Sequence, residues 1–255
     1  MSRIYLGRHV YGFGAIFLGV ITLTWRHSNT WQQIGPLKVT HPEVLVYIAA
    51  AIELFGGIVI QWPPARRIGA LSLGSIYFVF ALLSLPLIVA SPLTYDGWGN
   101  FFEQFSLVSG ALVVYGATSP AKHKGAPRFA RIGYMSFGVC VVSFAVEQLV
   151  YLSVTANLVP KWIPPGQMFW AVTTTIAFAL AAIAILFGRA ALLASRLLTA
   201  MLIGFGLLVW LPIVISNPHK LFNWTESAET LAIAGAAWIV TDFLAQNRRN
   251  ALVTP

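Results

Sequence analysis

The chain has 255 residues, 58% of them hydrophobic and only 9% charged, with a mean hydropathy of +0.76. That is too little polar material to coat a soluble domain, so the composition excludes a water-soluble enzyme and makes the lipid bilayer the first partner. The formal net charge of +8 sits at the ends of apolar runs and not along a groove with interleaved aromatics. It therefore reads as a topology signal with some attraction to anionic lipid, and no nucleic acid is expected as a partner.

A spanning helix needs about 20 mostly apolar residues, and eight such windows follow one another at 8–25, 43–62, 67–90, 100–118, 130–154, 167–187, 190–215 and 225–245. The first has a basic start and an apolar centre like a signal peptide, but no small-x-small cleavage site follows, so it is read as a span. Behind it comes the longest outer connection, 27–42, with Trp31, Gln32, Gln33 and a Gly35-Pro36 turn. The second window carries Glu53, about 15 Å along a helix from Glu43 and so near the bilayer centre. A Pro63-Pro64-Ala65-Arg66-Arg67 turn leads into the third window.

The third window ends in Leu85–Trp98, LPLIVASPLTYDGW, which is written again at Leu211–Trp224 as LPIVISNPHKLFNW. One spacing takes Pro86 to Pro212, Pro92 to Pro218, Trp98 to Trp224 and Glu103 to Glu229. Duplication is the simplest origin, and it divides the chain into a unit at 1–118, a linker at 119–129, a second unit at 130–247 and a tail at 248–255. An even number of spans per unit makes the repeat parallel, about an axis along the membrane normal. Arg3, Arg8, Arg66, Arg67, the basic group from Lys122 to Arg131, Arg189, Arg196, Arg248 and Arg249 fall at the termini and the even-to-odd connections. This asymmetry places both termini in the cytoplasm and the protein in the cytoplasmic (inner) membrane. The expected fold is thus all-α, with eight transmembrane helices in two parallel-repeat four-helix bundles.

Pro86 and Pro212 each remove a helical hydrogen bond and are expected to kink and splay the outer ends of their helices, opening a cavity. Asn100 to Glu103 and Asn223 to Glu226 have the spacing of capping boxes, a structural role favoured over a catalytic one.

Glu53 and Glu147 lie inside windows, at a cost of at least ~2.5 kcal/mol each if they faced lipid as anions. They are candidate ligand-binding residues, with Tyr151 one turn beyond Glu147, and with Glu103 and Glu229 as the pair related by the repeat. A structural reading also stands, in which each acid bonds a polar side chain of a neighbouring helix. Cys140 is the only cysteine, and His9, His27, His41, His123 and His219 all lie at window ends or in loops. No dithiol, haem or metal site is therefore evident. Trp98, Trp162 and Trp224, with Trp25, Trp31 and Trp62, form the expected interfacial belt.

Two stretches carry a family resemblance. Leu158-Val159-Pro160-Lys161-Trp162-Ile163-Pro164-Pro165 resembles the VP-x-W-x-P segment of DoxX-like membrane proteins, and Ala51-Ile52-Glu53-Leu54-Phe55-Gly56-Gly57 resembles the same family's second helix. The signatures are split, since the first half has Gly35-Pro36-Leu37-Lys38 in place of one and the second has Thr173-Thr174-Thr175-Ile176-Ala177 in place of the other. The resemblance implies a tandem pair of four-helix units. Some members are similar to subunits of quinone-linked oxidoreductases, of the thiosulfate:quinone type and of terminal quinol oxidase complexes. It implies a membrane subunit or quinone-interacting component, a quinone as cofactor, and a soluble or membrane redox partner. The alternatives are a transporter or channel for a small molecule, and a non-catalytic scaffold.

Overall fold

The computed structural model describes residues 6–25, 42–119 and 125–253. The outer connection at 27–41 and residues 120–124 of the linker lie outside the described residues. The elements are α1 (Leu6–Trp25), α2 (Pro42–Val59), α3 (Arg66–Leu83), α4 (Leu85–Ala90), α5 (Asp96–Ala117), α6 (Ala126–Val150), α7 (Leu152–Leu158), α8 (Gln167–Phe187), α9 (Ala191–Phe205), α10 (Leu211–Ser216) and α11 (Leu221–Val253). A π-helical turn at Gly206–Trp210 joins α9 to α10. No strand occurs among the described residues.

Among the described residues, six helical stretches are long and apolar enough to cross a membrane: Leu6–Trp25, Arg66–Ala90, Ala126–Val150, Gln167–Phe187, Ala191–Ser216 and Leu221–Leu252. The second and fourth expected windows are helical as α2 and α5. Large side chains such as Leu71, Leu180, Leu197 and Ile215 are exposed on the outside of the bundle, where the only compatible solvent is lipid.

Each helix packs on its neighbours in the order α1, α2, α3, α5, α6, α8, α9, α11 and back to α1, with α5 meeting α11 across the middle. Lipid gives no hydrophobic drive to join helices, so small residues that admit close backbones do that work. Along the α1–α11 seam Gly7 lies against Ile239, Tyr11 against Gly235, and Gly14 against Ala232, where a Cβ at Gly14 would stand 2.6 Å from the Ala232 Cα. The same device closes α1 on α2 (Gly12 with Gly57), α2 on α3 (Ile60 with Gly69) and α5 on α6 (Gly116 with Ala130). These contacts bring together the arginine-bearing helix ends.

The two copied stretches fold alike locally. In each a six-residue helix, α4 or α10, begins one residue before the proline and ends on an extended residue, Ser91 (φ −143°, ψ 67°) or Asn217 (φ −137°, ψ 65°). In each the tryptophan closes the turn: Trp98 Nε1 donates to Pro92 O at 3.2 Å and Trp224 Nε1 to Pro218 O at 2.8 Å. Upstream of the prolines the copies differ. Before Pro86 a single turn residue, Ser84, separates α3 from α4, whereas before Pro212 the helix passes through the π turn. In the first copy α4 packs against α5 and sets Ile88 against Gly97, 3.0 Å from a Cβ there. In the second copy the π turn borders a cavity.

The capping boxes are corrected. α5 starts at Asp96 and α11 at Leu221, so Asn100 and Asn223 stand inside helices. Asn223 reaches back, its Nδ2 donating to Asn217 O at 3.1 Å, and caps the preceding turn instead. The last helix also continues to Val253, through Arg248 and Arg249, where a tail was expected.

Candidate functional site

Four helices bring the acidic residues together. Glu53 is on α2, Glu103 on α5, Glu147 near the end of α6, and Glu226 and Glu229 one turn apart on α11, hence on one face of it. Glu229 stands within electrostatic reach of Glu103, Glu226, Glu53 and Glu147. Glu147 is likewise close to Glu103, Glu226 and Asp96. More than half of the chain's eight acidic residues thus gather where α5 meets α11. Among the described residues no Arg, Lys or His pairs with any of these five glutamates.

The cluster has a graded accessibility. Glu103, Glu147, Glu226 and Glu229 are half-buried, while Glu53 is 1% exposed. The cluster lies toward the end bearing the copied proline and tryptophan stretches. Toward the opposite end the glycine seams and the buried Ile60, Leu73 and Ile239 close the bundle.

Polar neighbours hold the acids in place without neutralising them. Gln104 Nε2 donates to Glu229 Oε1 at 2.6 Å, leaving Gln104 Oε1 buried without a partner. Gly99 of α5 admits Glu147: a Cβ at that position would stand 2.5 Å from Glu147 Oε1 and 2.9 Å from its Cδ. Around Glu53 the buried Tyr11 and Tyr77 rings meet edge to face, with centroids 6.3 Å apart. Tyr11 Oη donates to Leu107 O at 2.8 Å. Tyr77 Oη lies beside the Glu53 carboxyl group and interacts with it, and both groups are fully buried.

The structure therefore gathers four of the five candidate ligand residues, Glu53, Glu103, Glu147 and Glu229, and leaves the fifth at the rim. Tyr151 sits at the break between α6 and α7, where its hydroxyl donates to Asp96 Oδ1 at 2.6 Å. Pro86, Pro212 and Trp162 are exposed, and Trp98 and Trp224 are the half-buried turn closures described above. Trp224 also meets Phe17 of α1 edge to face at 5.9 Å. Sequence reasoning missed Gln104, Tyr77, Gly99 and the membership of Glu226. The available signal was the three-residue spacing of Glu226 and Glu229, which puts both on the face that Glu103 would meet if α5 and α11 were adjacent.

Among the described residues no group of three or more His, Cys, Asp or Glu is arranged to hold a metal ion. The carboxylates approach from separate helices without converging on one point. Unpaired anions in such surroundings cost several kcal/mol each, and their repulsion is relieved by bound protons or cations.

Apolar helices around a polar, acid-lined centre define a multi-pass helical membrane protein. Residues 4–86, about a third of the chain, match the family model described as DoxX, and that stretch is similar to DoxX proteins. No curated protein and no solved structure matches the chain.

Proposed function

We propose that the protein is an eight-span carrier of the inner membrane, built from two four-helix units that face the same way, with both termini in the cytoplasm. It conducts protons, or a small ammonium-type cation that takes their place, through the acid-lined cleft between the units. The carrying observation is the cluster itself: five glutamates from four helices, half-buried except for the buried Glu53, with no basic partner among the described residues. A membrane interior tolerates such groups only where they line a pathway or a polar cavity.

Two features support the tandem arrangement. The helix neighbours are exchanged by the spacing that relates the copied stretches, since α1 meets α11 as α6 meets α5. The copied turns also close with the same tryptophan-to-carbonyl bond. The proposal is tested by labelling the detergent-purified protein with an apolar carbodiimide and mapping the modified glutamates by mass. Methylammonium is expected to protect Glu103, Glu147, Glu226 and Glu229 together. Labelling that the cation leaves unchanged overturns the reading.

A quinone-linked redox role is the second reading. It rests on the family resemblance and on one observation: the Tyr77 hydroxyl, buried beside Glu53, sets a donor next to a group that accepts protons. Quinone co-purifying with the wild type and lost from Tyr77→Phe supports it; protein free of quinone when isolated from quinone-replete membranes argues against it.

A further inference from the structure

Beside α6, a crevice of about 260 Å³ lies between α7, α8 and the junction of α9 with the π turn. Its walls are apolar and aromatic, including Trp170, Phe205, Leu208 and Trp210. It carries no charged side chain, and its polar groups are those of Gln148, Thr155 and Thr174 and the indole N–H groups of Trp170 and Trp210. Gln148 is held from one side only. Thr174 and Thr175 donate to its Oε1 at 3.2 Å each, which leaves its amide N–H groups for an acceptor in the crevice. Trp170 Nε1 is committed to Pro164 O at 2.9 Å and offers nothing more.

The space exists because of one glycine. A Cβ on Gly204 would have no atom within 4 Å, and the spacing that takes Pro86 to Pro212 takes Phe78 to Gly204. The first half has an aromatic ring where the second has nothing. Exposed Leu158, Leu207 and Leu208 flank the opening, so it faces the acyl chains and not water.

We infer that this crevice is a binding site for one phospholipid of the bilayer, with an acyl chain along Phe205, Leu208 and Trp210 and an ester carbonyl accepting from the Gln148 amide. Neutral, apolar walls fit a hydrocarbon chain, and the Gln148 amide among them fits an ester carbonyl. The head remains outside, where Lys161, exposed in the loop that contributes Pro160 and Ile163 to the crevice, supplies a charge for phosphate.

The test is native mass spectrometry of the full chain released from mild detergent, comparing wild type with Gly204→Phe and Gln148→Leu. The wild type is expected to retain one phospholipid; Gly204→Phe loses it by filling the space and Gln148→Leu by removing the donor. Because Thr174 and Thr175 also bond carbonyls of their own helix at 2.9 and 2.8 Å, Gln148→Leu leaves no threonine unsatisfied and serves if Gly204→Phe does not fold. Wild type carrying detergent or free fatty acid alone, or a Gln148→Leu protein that retains the phospholipid as wild type does, overturns the assignment.

Discussion

Gln104 of α5 holds Glu229 of α11 through a 2.6 Å hydrogen bond across the middle of the bundle. Gln104 is 7% exposed, and its own carbonyl oxygen has no partner. The amide thus fixes one acid of the cluster while keeping an acceptor there. Gln104→Leu removes the donor and leaves a buried carboxylate unsatisfied, which costs about 1–3 kcal/mol. Thermal unfolding in nanodiscs is expected to show that loss, and Gln104→Asn, too short to reach, is expected to behave likewise.

Gly99 is required because of what lies against it. With Glu147 Oε1 2.5 Å from the place a Cβ would take, Gly99→Ala displaces the carboxylate from the cluster. Flux through reconstituted protein is expected to fall, and the double variant Gly99→Ala with Glu147→Ala is expected to regain wild-type thermal stability without regaining flux. A Gly99→Ala protein with unaltered flux contradicts the placement of Glu147 in the path.

The seam between α1 and α11 has no room for a side chain. Gly235 meets the Tyr11 backbone, and Tyr11 in turn bonds Leu107 O of α5. Gly235→Val forces the helices apart and is expected to cost at least the ~1–3 kcal/mol typical of overpacking. Loss of folded protein on detergent exchange, measured by size-exclusion chromatography, checks it.

The tryptophan closures are expected to be equivalent. Trp98→Phe and Trp224→Phe each delete one indole-to-carbonyl bond and retain an aromatic ring, for about 0.5–1.5 kcal/mol apiece. Matched drops in melting temperature are the expected result.

Much of this was legible in the sequence because lipid imposes a simple rule: about 20 apolar residues make a span. The sixth window, 167–187, coincides with α8, and the proline-to-tryptophan copies with α4 and α10. Glu53 stood out as an acid inside an apolar run. What composition cannot reveal is which helices are neighbours. That Glu103 and Glu229 share a cluster depends on α5 crossing α11, a contact set by glycine seams and not by local pattern. The capping boxes misled for a related reason. Asx and glutamate spacing is local, whereas the true helix starts at Asp96 and Leu221 are fixed by turns that the tryptophans close. The π turn was likewise invisible, since it answers a proline several residues downstream.

The most direct measurement is ion flux in proteoliposomes holding a trapped pH dye, driven by an imposed membrane potential, for wild type and the isosteric variants Glu53→Gln and Glu229→Gln. The account predicts acidification with wild type that methylammonium competes, and none above empty liposomes with either variant, although both remain folded. Wild-type vesicles indistinguishable from empty ones, or full flux in Glu53→Gln, would contradict it.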